Sequence, residues 1–240
     1  MKLSGVFVKS DPMLTGLTWG NWGSRPYEYE WIRSMLSVDG KKVIDLGIGI
    51  PSQYNWYQYV VERMKPSFYM GVDWDDRISQ EIIQLQDSDF HRRNRGKYQL
   101  LQMNMADLKI ADATFDIAYC ISTFEHLPYD IFMKAISEAH RVLVPDGVLL
   151  VTLDEEWDKD IQKTHANGWN TLEQSLIENK MFVRSERSFG LPEFLELIKE
   201  YFVPMENVKY GRLNKDPNIL NSGVHINSCV SYVLLQKKIK

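Results

Sequence analysis

Cysteine is nearly missing from this sequence. It occurs 2 times in 240 residues, too rarely for a disulfide framework, and a reducing, cytoplasmic setting is expected. Long apolar runs are missing too: none approaches the roughly 18 residues that cross a bilayer, so no membrane span is expected. The N-terminal MKLSGVFVKSDPML carries Lys2 and Lys9 but not the unbroken apolar stretch of a signal peptide. There is no internal repeat, no low-complexity tract and no surplus of positive charge. The net charge of −4 argues against a nucleic-acid backbone as the main partner. Hydrophobic residues at 44% and charged residues at 25% exclude a disordered or fibrous chain. The length fits one large domain, or one domain with elaborations. Aromatic residues, in contrast, are plentiful and clustered, with 7 Trp and 12 Tyr.

From residue 41 onward the pattern alternates. KVIDLG, FYMGVD, YQLLQMN, FDIAYCI and VLLVTLDE read as short strands. Between them lie helix-compatible segments: YNWYQYVVERM, a stretch from about Asp75 to Gln86, and YDIFMKAISEAHRVL, where Ile131, Ala135, Ile136, Ala139, Val142 and Leu143 recur at helical spacing. Residues 26–38 read as a helix ahead of the first strand, closed by Gly40. Strands alternating with amphipathic helices make βαβ units, and right-handed crossovers then favour a doubly wound, Rossmann-like α/β sheet. Residues 170–180 and 192–202 look helical, and SCVSYVLLQKK looks like a final strand. Pattern leaves open whether VRSERS or NVKYGRL supplies the remaining strand.

Ligands of such sheets sit beyond the carboxyl ends of the strands. The first strand ends in 43-VIDLGIGIPS-52, where Gly47 and Gly49 would allow a tight turn and a close approach. The next residues, Ile50-Pro51-Ser52-Gln53, do not complete a dinucleotide fingerprint. Asp45 would repel a pyrophosphate and welcome a cationic ligand. Asp73, at the end of the second strand, stands where an acid accepts both ribose hydroxyls; capping of the next helix is the competing role.

The series VIDLGIG, GVD, FDIAYCISTFEHLP and AISEAHRVLVPDGVLLVT, in this order and spacing, resembles the class I S-adenosylmethionine-dependent methyltransferases, and within them the broad small-molecule, type 11-like group. The likeness covers about residues 41–153. It implies a seven-stranded sheet, mostly parallel, whose last strand runs antiparallel, and S-adenosyl-L-methionine as cofactor. It implies that Asp45, Gly47 and Gly49 flank the methionine part, that Asp73 holds the ribose and that Trp74 covers the adenine. Where the family commonly has an acid for the adenine amino group this sequence has Asn104, with Asp107 as competitor; an Asn oxygen can still accept. The backbone of Met105 would meet the ring nitrogen, and that around Cys120 and Ile121 the cofactor's ammonium.

For the chemistry, His126 with Glu125 beside it is the best-placed base after the fourth strand, the alternative being that the pair orients the next helix. His165 lies in an irregular insert (about 154–190) expected to face substrate, whereas His140 reads as structural. Asp154, Glu155 and Glu156 end the fifth strand, but no full metal-ligand set is legible, so no metal is expected. The segment 14-LTGLTWGNWGSRPYEYEW-31 reads as a lid and helix (residues 1–40) ahead of the main domain (41–240), with Trp31 and Ile32 inward and Trp19, Trp22 and Arg25 near the substrate. The basic run 91-HRRNRGK-97 falls on the amino-end side of the sheet, away from the pocket, and reads as a solvated loop rather than an RNA contact.

The leading expectation is therefore an enzyme that methylates a small molecule, by O-methylation of a sugar, glycan precursor or secondary metabolite. N-methylation of an amino sugar follows closely. A non-catalytic cofactor-binding partner protein and an RNA methyltransferase stand behind these, and a homodimer is compatible with all of them.

Overall fold

The computed structural model describes residue 17 and residues 25–156, 191–205, 211–214 and 228–239. Helix α1 (Arg25–Met35) leads into strand β1 (Lys42–Leu46). Helix α2 (Trp56–Tyr59) runs on as one π-helical turn (Val60–Met64), stopped by Lys65 in the left-handed region and by Pro66. Then come β2 (Phe68–Asp73), α3 (Arg77–Leu85), α4 (Asp89–Asn94), β3 (Tyr98–Gln102) and β4 (Phe115–Ile121). A 3-10 turn (Phe124–His126) precedes α5 (Tyr129–Val142), β5 (Leu143–Glu156), α6 (Leu191–Ile198), β6 (Phe202–Pro204), β7 (Gly211–Asn214) and β8 (Ser228–Lys237).

The strands lie in the order β3-β2-β1-β4-β5-β8-β6, with β7 also against β8. β6 and β7 pair with opposite ends of β8, the first reaching Lys237 and the second Cys229. Together they fill one broken outer position, so the eight strands among the described residues make a sheet seven positions wide. β1 to β5 are parallel and β8 runs antiparallel to β5, the expected fold. Of the two candidate segments for the remaining strand, the end of NVKYGRL enters β7; VRSERS and the helix expected at 170–180 lie outside the described residues. The helix expected over 192–202 ends at Ile198, because Phe202 already pairs with Lys237.

Two other features depart from a simple reading of the pattern. Leu143 begins β5 instead of continuing α5, and PDG (residues 145–147) forms a bulge inside that strand: Asp146 sits at a φ of 65°, and pairing with β4 jumps from Phe115↔Leu143 to Ile117↔Val148. The basic run is not a loop through most of its length. Ser88 caps α4 by accepting from the His91 amide at 3.1 Å, and His91 to Asn94 are helical. Arg92 pairs with Asp89 and Arg93 with Glu62, which holds the cations on the helix surface.

Alternation along the strands sorts the core onto two faces. Ile44, Leu46, Ala118, Cys120, Leu149, Val151 and Val233 face α5 and α6. Val43, Tyr69, Ile117, Tyr119, Leu150 and Leu234 face α1 and α2, where Trp31 and Ile32 are buried as expected. Asp45 falls on this second face, beneath the aromatic helix α1.

Candidate active site

A cavity of about 540 Å³ opens beyond the carboxyl ends of β1, β2, β3 and β4, within the range of small-ligand sites. Its floor is the turn after β1. Gly47 and Gly49 adopt φ values of 86° and 66°, which L side chains rarely take. A Cβ on Gly47 would lie 2.5 Å from Thr123, and one on Gly49 2.7 Å from the Tyr54 ring. The turn is tied to β2: Val72 O accepts from the Gly47 amide at 2.8 Å and from the Ile48 amide at 3.3 Å. Asp73 Oδ2 accepts from the Gly49 amide at 2.9 Å, and Asp73 Oδ1 from the Asp75 amide at 3.1 Å. Asp73 thus organises two loops while lining the cavity. Burial pushes its carboxyl up, and the amide bonds pull it back.

Asp45 is the second carboxylate of the wall. It is buried, and Tyr69 donates to its Oδ2 at 2.8 Å. Burial pushes its pKa up to about 6, against the pull of the Tyr69 hydroxyl and the Arg25 guanidinium, with Asp73 adding to the rise. Tyr29 and Tyr119 complete a ring of buried phenols around it, both held above their ordinary range mainly by burial.

The aromatic helix supplies the adjoining wall. Tyr29 of α1 stacks on Trp56 at 4.6 Å between ring centroids, and Trp56 stacks on Tyr59 at 5.5 Å. Arg25 reaches into the cavity, 6.0 Å from the Tyr54 ring centroid, and pairs at 2.7 Å with the buried Glu28. Glu28 also accepts from the Ser122 hydroxyl, which joins α1 to the end of β4. These aromatic residues serve as packing and as cavity wall at once.

Beyond β4, Ile121, Ser122, Thr123 and His126 line the cavity. Cys120 does not: it points into the opposite core face, and burial lifts its thiol well above the ordinary range. Glu125 is buried behind the wall, with Oε1 3.9 Å from His126 Nε2. The side chain of His126 keeps 40% exposure, all that a cavity-facing base needs. Removal from bulk water and the nearby Arg25 push its pKa down to about 4, so the imidazole is neutral at physiological pH. His140 is structural, bonded through Nε2 to Lys238 O at 2.9 Å and packed edge-on to Tyr201 and Phe202.

At the far end lie Trp74, Asp75, Arg77, Asn104 and Met105. Arg77 is held by Asp75, whose carboxyl it lowers. Asn104 faces the cavity; Asp107 lies outside it, paired with Lys109 at 2.6 Å. Trp19, Trp22, His165 and the insert beyond residue 156 lie outside the described residues. Sequence reasoning missed Ser122, Thr123, Glu28 and Tyr69. The Tyr69 signal was present as an alternate-residue position on β2 facing the same way as Asp45. Among the described residues no group of three or more His, Cys, Asp and Glu is placed to hold a metal ion, and no helix is long and apolar enough to cross a membrane.

The chemistry of this donor set suits S-adenosylmethionine: an anionic socket for a cationic end, a carboxylate at a strand end for a diol, and apolar walls between. Residues 44–151 match the model of the methyltransferase domain family. No curated protein sequence matches the chain. Among solved structures, it is similar to 1,6-didemethyltoxoflavin-N1-methyltransferase of Burkholderia thailandensis, solved with S-adenosylhomocysteine (TM-score 0.60, 17% identity, covering 91% of this chain and 80% of that one). It is also similar to an S-adenosylmethionine-dependent methyltransferase of Mesorhizobium loti (0.60, 15%, 90% and 98%). A third similar structure is the cyclase SpnF (0.63, 14%, 95% and 89%).

Proposed function

We propose that the chain, whose residues 44–151 match the methyltransferase domain family, is a class I S-adenosylmethionine-dependent methyltransferase, and that it methylates a small molecule, by O-methylation of a sugar, glycan precursor or secondary metabolite. The observation that carries this reading is His126: a neutral imidazole in the cavity wall, a few residues beyond β4. Bound in the cavity, the cofactor supplies a methyl group on a sulfonium, which departs as a neutral thioether without acid assistance. What remains for the protein is alignment and removal of the acceptor's proton.

We assign Asp73 to the ribose diol, Trp74, Asn104 and Met105 to the adenine, and Asp45, the Gly47–Gly49 turn and Ile121 to the methionine end. The backbone around Cys120 and Ile121 keeps its assignment to the ammonium, with Ser122 beside it in the cavity wall. Tyr29, Tyr54, Arg25, Leu127 and Ile131 shape the acceptor side, and His126 accepts the hydroxyl proton there. Glu125 positions His126 from behind. The N-terminal segment and the insert at 154–190 are assigned to acceptor recognition.

A nitrogen acceptor is the second reading. Its own lone pair makes the least demand on a weak base, and His126 with a pKa near 4 is one; the Burkholderia structure is that of an N-methyltransferase. Two experiments separate the readings. Calorimetry with S-adenosylmethionine, S-adenosylhomocysteine and NAD tests the premise: binding of the first two and not the third is expected, and the reverse overturns it. Transfer of labelled methyl to hydroxyl and amine acceptor panels by wild type and His126→Ala tests the acceptor. Loss confined to hydroxyl acceptors supports O-methylation, and transfer to amines alone supports the second reading.

A further inference from the structure

The purine end of the cavity departs from a simple acidic reader of adenine. Asp73 fixes the ribose at the end of β2 and Asp45 fixes the cationic end beside β1 and β4. The base therefore lies toward β3, where Asn104 and Met105 are the first cavity residues past the strand. Asn104 is already at work in an Asx turn: its Oδ1 accepts from the Ala106 amide at 2.9 Å, and its carbonyl accepts from the Asp107 amide at 3.0 Å. The Ala106 N–H can be satisfied only by an oxygen, which fixes the orientation of the amide. With Oδ1 partly committed, the side chain turns its Nδ2 donors away from the turn.

Resting on the methyltransferase reading, we propose that Asn104 reads position 6 of the purine through both atoms of its amide, so that the site admits a 6-oxopurine nucleoside thioether as well as the 6-amino form. Adenine's amino group can donate to the second lone pair of Oδ1. A 6-oxo group can accept from Nδ2. A carboxylate at position 104 would serve the first and repel the second, because two acceptors would then face each other. One source of discrimination remains. The Met105 amide, assigned to the ring nitrogen N1, is a donor and would face an N–H when the base is 6-oxo. The 6-oxo form therefore binds somewhat more weakly, not negligibly.

The test is a ligand-by-residue cycle in calorimetry with S-adenosylhomocysteine and S-inosylhomocysteine, on wild type and Asn104→Asp. An Asp oxygen can still accept from the Ala106 amide, so the turn is kept, and melting curves check it. In wild type the two ligands are expected within about tenfold of each other, a single hydrogen bond's worth. In Asn104→Asp the gap widens by at least about a further tenfold, with the loss confined to S-inosylhomocysteine. If the variant shifts both affinities by the same factor, residue 104 does not read position 6 and the proposal falls. Wild-type discrimination as steep as the variant's overturns it too. Failure of wild type to bind S-adenosylhomocysteine overturns the methyltransferase reading beneath it, a different and recognisable result.

Discussion

Gly49 donates its backbone N–H to Asp73 Oδ2 at 2.9 Å, across 24 residues of sequence. The glycine turn and the carboxylate assigned to the ribose are therefore one unit. Substituting Asp73 leaves the Gly49 amide without its acceptor and, on the proposed assignment, removes a ligand contact. Asp73→Ala is expected to weaken S-adenosylhomocysteine binding by at least about tenfold and to cost about 1–3 kcal/mol of stability. Calorimetry and denaturant melts read the two effects. Binding unchanged in a folded variant refutes the assignment.

Gly49→Ala tests the same unit from the other side. The new methyl meets the Tyr54 ring at 2.7 Å while the backbone stays at a φ of 66°. A loss of about 1–3 kcal/mol is expected from the strained conformation alone. Tyr54→Ala in the Gly49→Ala background restores only the part due to the ring. Full restoration of melting temperature by the second change would show that the dihedral costs nothing here.

With Asp45 assigned to the cationic end of the cofactor, binding is expected to depend on pH. An unfolded Asp loses its proton near pH 3.9 and the folded one near 6. Between those values the folded state holds the extra proton, so Asp45's contribution to stability falls as pH rises through this window. Binding of an ammonium works in the opposite direction, since it needs the carboxylate charged. Affinity for S-adenosylhomocysteine is expected to weaken as pH drops from 7 to 5, and Asp45→Asn flattens that slope. Tyr69→Phe, which removes the bond that lowers the pKa, moves the midpoint upward. An identical midpoint in Tyr69→Phe contradicts this account.

For His126 the expected signature is a loss of turnover without a loss of binding. His126→Ala lowers kcat on a hydroxyl acceptor by about 10²–10⁴-fold, the usual contribution of a positioned base, and leaves S-adenosylhomocysteine affinity within about threefold, less than one hydrogen bond. With its pKa pushed down to about 4 by desolvation in the cavity wall and by Arg25, protonation of the imidazole is expected to produce no fall in activity between pH 6 and 8. Full turnover by the variant removes His126 from the mechanism.

Much of this was legible in the order of residues. The apolar runs of β1, β2, β4 and β5 have no polar alternate because both faces of the sheet are covered, and that is what makes a parallel sheet visible in sequence. Asp73 and the two glycines stood out because few residue types can do what their positions require. What could not be read was lateral. Tyr69 and Tyr119 look like core residues until the register sets Asp45 opposite Gly71 and Tyr119. Glu28 looks like one exposed acid in YEYEW until α1 packs on the sheet and Ser122 meets it. The helical state of the basic run turned on one cap, Ser88, that composition cannot weigh against six polar neighbours.

Glu28 has a mechanical consequence for the aromatic helix. A hinged cover must expose its inner face each time it opens, and exposing this one would part a buried carboxylate from Arg25 and Ser122 together, at a cost of about 3–5 kcal/mol. Helix α1 thus behaves as masonry, not as a door. The exposed edge of the cavity lies instead at its far end, where Trp74 stands half in solvent at 51% exposure.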